Sequence, residues 1–382
     1  MKTILALVAA LILPVALGLS ATIQDVVNTV SYDSYRSYLG YPGDTTNPLF
    51  TQEGNNRYYT STQHDLARTN IFNMFSGFGL TTSYSNFSYG NSTYSNVVAV
   101  KTGTVRPNDI YILGAHFDSA SPTCPGADDN ASGVAGILEA ARVFSLFNFE
   151  ATVQFIAFDL EELGLIGSTA YAADAKTRGD NILGMVSLDM IACNTGGNNS
   201  ADIWGHTASD PMKNALADAV RTYGGLTVSV GGAMDYSDQA PFEWNGYQAA
   251  LLIEPDGNTR YHQPSDNVNT VGYLDYTYAT SMTKGAVGYA ATYATVVPEP
   301  GTIWLLFVGV GFCWRFVRRQ KLGDAVHDPN VVGFAVLDFA QTRKVAPSFL
   351  PRRRQAPPMA VARKTMAQTP RALARNLPSP GS

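Results

Sequence analysis

The stretch Asp109–Glu162 reads DIYILGAHFDSASPTCPGADDNASGVAGILEAARVFSLFNFEATVQFIAFDLEE, and its pattern decides the fold. Ile110-Tyr111-Ile112-Leu113 is a short apolar run, the mark of a buried strand. Ala131–Phe147 sets small and apolar residues at helical spacing, and Thr152–Phe158 is a second strand. The alternation continues downstream with helix Leu165–Ala175, strand Ile182–Leu188, helix Met212–Tyr223, strand Ala249–Ile253 and helix Leu274–Ala291. Upstream, residues 81–90 and 95–103 are rich in Thr, Ser, Tyr and Val, which suits strands. Asp25–Tyr38 and His64–Phe75 read as amphipathic helices separated by the polar run Gly43–Asn56. Strands alternating with helices predict an α/β fold: a three-layer sandwich with a central, mostly parallel or mixed sheet flanked by helices. There is no internal repeat.

Ligands in such sheets gather beyond the carboxyl ends of the strands. His116, Glu161, Glu162 and Asp189 all fall at or just after predicted strand ends. They belong to five short blocks, GAHFDS, PGADDNASG, DLEELGLIGS, SLDM and RYHQPSDN, the others contributing Asp129 and His262. Each block alone has a blander reading. Asp128-Asp129-Asn130 suits a helix N-cap, Glu161-Glu162 a solvated pair, and His262 an exposed loop residue. Together the six side chains offer two imidazoles and four carboxylates, a set that suits two divalent cations and one general base. Mixed nitrogen and oxygen donors favour zinc, with manganese or cobalt also admitted. Adjacent Glu161 and Glu162 point in different directions, so one binds metal while the other takes a proton from the attacking water. Asp118, two residues after His116, faces the same side and suits the role of fixing the imidazole tautomer.

These blocks resemble those of the co-catalytic dizinc aminopeptidases of the exported bacterial leucyl aminopeptidase type, over roughly residues 22–295, in the family's order and approximate spacing. The resemblance implies a zinc-exopeptidase-like fold and two Zn2+ ions. His116 and Asp189 would bind one ion, Glu162 and His262 the other, and Asp129 would bridge them. It implies Glu161 as general base, Asp118 as the residue orienting His116, Tyr261 as a stabiliser of the oxyanion, and a cis peptide between Asp129 and Asn130. The expected activity is release of N-terminal amino acids from peptides by attack of a water held between the zinc ions. The alternative is a single-zinc acyltransferase resembling the related glutaminyl cyclases. A departure is Ser237-Asp238-Gln239, where the family often has Ser-Asp-His, which bears on pocket polarity. Residues 225–247 are the expected pocket region.

The formal net charge of -5 hides a split. Residues 1–300 carry 13 Lys/Arg and 28 Asp/Glu, about -15, and residues 301–382 carry 13 Lys/Arg and 3 Asp, about +10. The acidic body argues against nucleic acid and suits cationic partners such as peptides with a free amino terminus. Residues 1–20, with Lys2 followed by apolar Ile4–Leu17, read as a signal peptide. Cys124 and Cys193 flank the Asp-Asp and Ser-Leu-Asp-Met blocks, and whether they pair is left to geometry.

After residue 296 the sequence changes character. Pro298-Glu299-Pro300 precedes apolar Thr302–Trp314 and then Arg315, Arg318 and Arg319. Segment 297–319 resembles the PEP-CTERM sorting signal, which implies an exosortase-type processing enzyme. It also implies transient inner-membrane anchoring through 301–319 as a short apolar helix, and delivery to the cell surface or exterior. The Arg cluster fits a cytoplasmic flank. Residues 320–382 are rich in Arg, Pro and Ala and read as a disordered basic tail. It is either read-through or frameshifted sequence, or a cytosolic segment against anionic lipid. A monomer is the default expectation.

Overall fold

The computed structural model describes residues 21–297; the signal peptide, the apolar segment and the basic tail read above lie outside them. Three helices lead: α1 (Ile23–Asn28), α2 (Tyr32–Leu39) and α3 (Thr62–Gly77). Strands β1 (Thr81–Tyr89), β2 (Ser92–Lys101) and β3 (Arg106–His116) follow. Then come α4 (Ala131–Ser145), β4 (Ala151–Phe158), α5 (Ile166–Arg178) and β5 (Asn181–Asp189). The remainder is β6 (Ser200–Trp204), α6 (Asp210–Ala219), β7 (Thr227–Val230), α7 (Ala240–Trp244), β8 (Ala249–Ile253) and α8 (Tyr276–Ala294).

All eight strands form one sheet in the order β1-β2-β4-β3-β5-β8-β6-β7. The centre, β4-β3-β5-β8, is parallel. Antiparallel pairings attach β2 to β4 and β6 to β8 on either side, so the sheet is mixed. Strand β3 lies between β4 and β5 although it precedes both, so the β3-to-β4 and β4-to-β5 crossovers run in opposite directions across the sheet. That reversal opens a crevice at the carboxyl ends of the parallel strands.

The alternation along each strand explains the layers. Tyr111, Leu113 and Ala115 of β3 pack on one face with Val134, Leu138 and Ala141 of α4 and with Met282 and Ala286 of α8. Ile110 and Ile112 point to the other face, towards Tyr171 and Ala172 of α5 and Phe242 of α7. Helices cover both faces, as expected from the sequence.

Three local expectations are corrected, and three elements are new. The single helix expected over Asp25–Tyr38 is two, because the Ser31 hydroxyl accepts the Ser34 amide and starts a new helix after Thr29-Val30. The helix expected to reach Phe147 ends at Ser145. The final helix begins at Tyr276, where Asp275 caps the Thr277 and Tyr278 amides. Strands β6 and β7 and helix α7 were not anticipated.

Arg57 fastens the leading segment to the centre of the fold. Its guanidinium is fully buried and donates to the carbonyls of Phe117, Pro125 and Gly126 at 2.6–2.7 Å. Those carbonyls belong to the loop from β3 to α4, which carries Asp118 and Asp129.

Candidate metal centre

The carboxyl ends of β3, β4 and β5 converge. His116 is the last residue of β3 and Asp189 the last of β5; Glu161 and Glu162 follow β4. His116 Nε2 lies 3.3 Å from Asp129 Oδ1 and 3.4 Å from Asp189 Oδ1. On the other side of the same carboxylate, His262 Nε2 lies 3.1 Å from Asp129 Oδ2 and 3.1 Å from Glu162 Oε2. The structure therefore brings all five expected ligands together, in two groups that share Asp129.

Donors bound at about 2.0–2.2 Å to a tetrahedral ion stand about 3.3–3.6 Å from one another. The two His116 separations, 3.3 and 3.4 Å, match that spacing, and the two His262 separations, 3.1 Å each, fall about 0.2 Å short of it. Asp129 Oδ2, Glu162 Oε1, Asp189 Oδ1 and His262 Nε2 are buried and have no hydrogen-bond partner. His262 Nε2 and Asp129 Oδ2 are close yet fail the angles of a hydrogen bond, as two ligands of one ion would. Orphaned buried polar atoms are costly, and a cation between them removes the cost. The residues fit a pair of divalent metals.

Charge in the cluster is lopsided. Burial, then the neighbouring carboxylates Asp189, Asp238 and Glu162, hold Glu161 well above the ordinary range, with His116 opposing. Burial and Asp129 push Glu162 up to about 7. The carboxylates of Asp129 and Glu162, each 3.1 Å from Nε2, pull His262 up to about 10, with burial opposing. Burial opposes ionisation of Asp129, but His116 and His262 outweigh it and hold this carboxyl well below its usual value.

The loop that presents Asp129 is built by its neighbours. Asn130 caps α4 by accepting the Gly133 amide at 2.9 Å, and its side-chain amide donates to Leu188 O at 2.9 Å. The capping reading of the Asp128-Asp129-Asn130 block thus belongs to Asn130, which frees Asp129 for the centre. The peptide between Asp129 and Asn130 is cis, as expected. Asp118 Oδ1 and Oδ2 accept the amides of Glu161 and Glu162 at 3.0 and 3.2 Å. Its carbonyl, at 3.2 Å, is a nearer partner of His116 Nδ1 than its carboxylate, at 3.5 Å. Asp118 therefore holds both the histidine and the Glu161-Glu162 turn.

Three supporting residues were not singled out for these roles by the sequence. Ser237 Oγ donates to Asp189 Oδ2 at 2.7 Å. Asp266, buried in the His262 block, accepts the amides of Asp128 at 2.7 Å and Asp129 at 3.2 Å. Asp238 is fully buried, and neither of its carboxylate oxygens has a partner. The signals were present, Ser237-Asp238 in an unusual triplet and Asp266 in the His262 block, but partners 48 to 138 residues away are not written in local spacing. Cys124 and Cys193 are free thiols. Their loops do approach, since the Ala192 amide donates to Asp128 Oδ1 at 2.9 Å, but Cys193 Sγ faces Thr195 Oγ1 at 3.6 Å instead.

A pocket of about 320 Å³ opens beside the centre. His116, Asp129, Glu161, Glu162 and Asp189 form its floor, and Met190, Met234, Leu251 and Ile253 give it an apolar wall. Tyr261, half exposed, stacks on His262 with ring centroids 3.7 Å apart and also lines the pocket.

Comparison with known proteins gives the family and the fold. The profile of peptidase family M28 matches residues 96–286, half of the sequence. The chain belongs to peptidase family M28. A PEP-CTERM protein-sorting motif matches residues 296–319. Among curated relatives, aminopeptidase YwaD of Bacillus subtilis is 29% identical over 211 residues, 52% of this chain and 45% of the relative. A probable zinc metalloprotease of Pyrenophora teres is 38% identical over 276 residues, 64% of this chain and 57% of the relative. The chain spans about half the length of these curated relatives. Of solved structures, the LapA aminopeptidase of Legionella pneumophila superposes with a TM-score of 0.60 at 24% identity, covering 72% of this chain and 74% of that one. A glutaminyl cyclase of Macrostomum lignano gives a TM-score of 0.60 at 18% identity over 74% and 94% of the two chains. Both share the fold.

Proposed function

We propose that this chain is an exported, zinc-dependent aminopeptidase that works with two metal ions and removes apolar N-terminal residues from peptides. The observation that carries the reading is the division of the Asp129 carboxylate between two histidines, each paired with a second acidic ligand. His116, Asp189 and Asp129 would hold one ion, and His262, Glu162 and Asp129 the other. A pair of zinc ions so held would acidify a water and polarise the scissile carbonyl.

The chain's own residues supply the rest. Glu161 is the nearby carboxylate left over from the two ligand groups, its Oε2 3.9 Å from His116 Nε2. It receives the proton of the attacking water and passes it to the leaving amine. Asp118 fixes the Glu161 amide and so the base. Tyr261 stands at the pocket edge, where its hydroxyl can donate to the developing oxyanion. The acidic floor receives the substrate's ammonium group, and Met190, Met234, Leu251 and Ile253 receive an apolar side chain.

A glutaminyl cyclase would use a single zinc, and the five-donor arrangement favours two. Export and exosortase processing are supported by the PEP-CTERM motif. Among the described residues no helix is long and apolar enough to cross a membrane; the proposed transient anchor, 301–319, lies beyond them. A panel of aminoacyl-nitroanilides, with and without chelator, tests the function. Chelator-sensitive release, fastest for leucine or methionine, is expected. Turnover unaffected by metal removal, or cyclisation of N-terminal glutamine as the main activity, would contradict it.

A further inference from the structure

We propose that His206, Asp235 and Glu243 form an additional divalent-cation site, of the zinc class, which ties down one wall of the pocket. It lies outside the Asp129 centre and uses none of its residues. His206 leads from β6 into the turn before α6, Asp235 sits in the loop after β7, and Glu243 lies on α7. The three offer one imidazole nitrogen and two carboxylate oxygens, all within 4.8 Å of one another.

Glu243 supplies the independent sign of a ligand. Its side chain is 3% exposed. Oε1 is satisfied by the His206 amide at 2.7 Å and the Ser209 hydroxyl at 2.6 Å. Oε2 is buried and has no partner, and it stands 3.9 Å from His206 Nε2. Leaving a carboxylate oxygen dry and unpaired is expensive. Lys213 does not meet the need: its Nζ is engaged by the carbonyls of Gly205 and Gly231 at 2.8 and 2.9 Å and by Asp210 at 2.8 Å. With Lys213 offset by Asp210, a neutral His206 leaves two uncompensated carboxylates, and one divalent ion balances them.

The geometry needs little change. His206 Nε2 and Asp235 Oδ1 are now hydrogen-bonded at 2.7 Å. An ion bound at about 2.0–2.2 Å would part them to about 3.3 Å. Asp235 is exposed enough to make that move, its side chain being 45% accessible.

The consequence falls on the substrate pocket. Asp235 lies between Met234 and Tyr236, and Ser237 follows; all three of these line the pocket. A cation shared with β6 and α7 fixes that loop to the body of the fold, and so fixes the wall that meets the substrate side chain.

Metal counting on the full-length protein tests the site. Stripped protein is dialysed against buffered zinc and its bound metal measured, in the wild type and in His206→Ala and Asp235→Asn. The same is done in a His116→Ala/His262→Ala background, which removes the central ligands. One equivalent is expected to disappear with either peripheral substitution in both backgrounds. Because the readout is a difference, it stands whether the central site holds two ions, one or none. Asp235→Asn changes an exposed side chain, so it reports even if His206→Ala fails to fold. Equal metal content with and without these substitutions, at zinc up to roughly 100 μM, well above a typical structural-site requirement, would overturn the proposal.

Discussion

Asp129 turns each of its oxygens towards a different histidine, and most of the site's chemistry follows from that one residue. It is free to do so because Asn130 takes the cap of α4 and Asp266 holds the backbone. Replacing Glu161 with Gln removes the proton acceptor but keeps the shape. Turnover should fall by roughly 10²–10⁴-fold, with metal content unchanged. Full turnover in E161Q would remove Glu161 from the role of base. Ser237 acts through Asp189, so S237A should weaken zinc binding by about 10–100-fold, read as a lower chelator concentration for half-loss of metal. Equal chelator sensitivity in S237A and wild type would leave Ser237 with no part in holding Asp189. His116, Asp189, Glu161 and Glu162 stood out in the sequence because they sit at or just after the ends of apolar strands, whereas Asp129 and His262 stood out only through the loop blocks that carry them. Ser237, Asp238 and Asp266 did not, because their roles depend on which loop they face after folding.

At the scale of elements, the site rests on close approach between the start of α4 and the end of β5. A Cβ added at Gly133 would overlap the Leu188 carbonyl oxygen and the Asn130 side chain. Glycine is required there to let the capped helix reach the strand that carries Asp189. G133A should cost about 1–3 kcal/mol, seen as a lower urea midpoint; an unchanged midpoint would show that the contact can relax. The central strands were readable since β3, β4, β5 and β8 are apolar runs buried on both faces. Strand β7 escaped notice because it is four residues long and mostly exposed, and β6 because its five residues mix polar and apolar types. The break between α1 and α2 was hidden by a continuous amphipathic pattern across Thr29–Ser31, where Ser31 starts a new helix.

For the whole molecule, the sheet reversal beside β3 gathers ligands from the ends of β3, β4 and β5 and from the loop beyond β8 into one crevice. Metal held there would cross-link much of the fold. At free zinc about 100 times the dissociation constant, one site adds about 2.7 kcal/mol. Chelation should lower the melting temperature by roughly 5 °C or more, and a melting temperature indifferent to chelator would argue against metal as part of the folded state. The acidic body and basic C-terminal region were plain from composition, whereas the pocket's apolar wall was not, since Met190, Leu251 and Ile253 lie outside the 225–247 stretch. The most direct test of the central claim is anomalous diffraction at the zinc edge from crystals of the zinc-loaded protein. Two peaks about 3.5–4 Å apart, one beside His116 and Asp189, the other beside Glu162 and His262, with Asp129 between, are predicted. A single peak in the crevice, or none touching Asp129, would contradict the account.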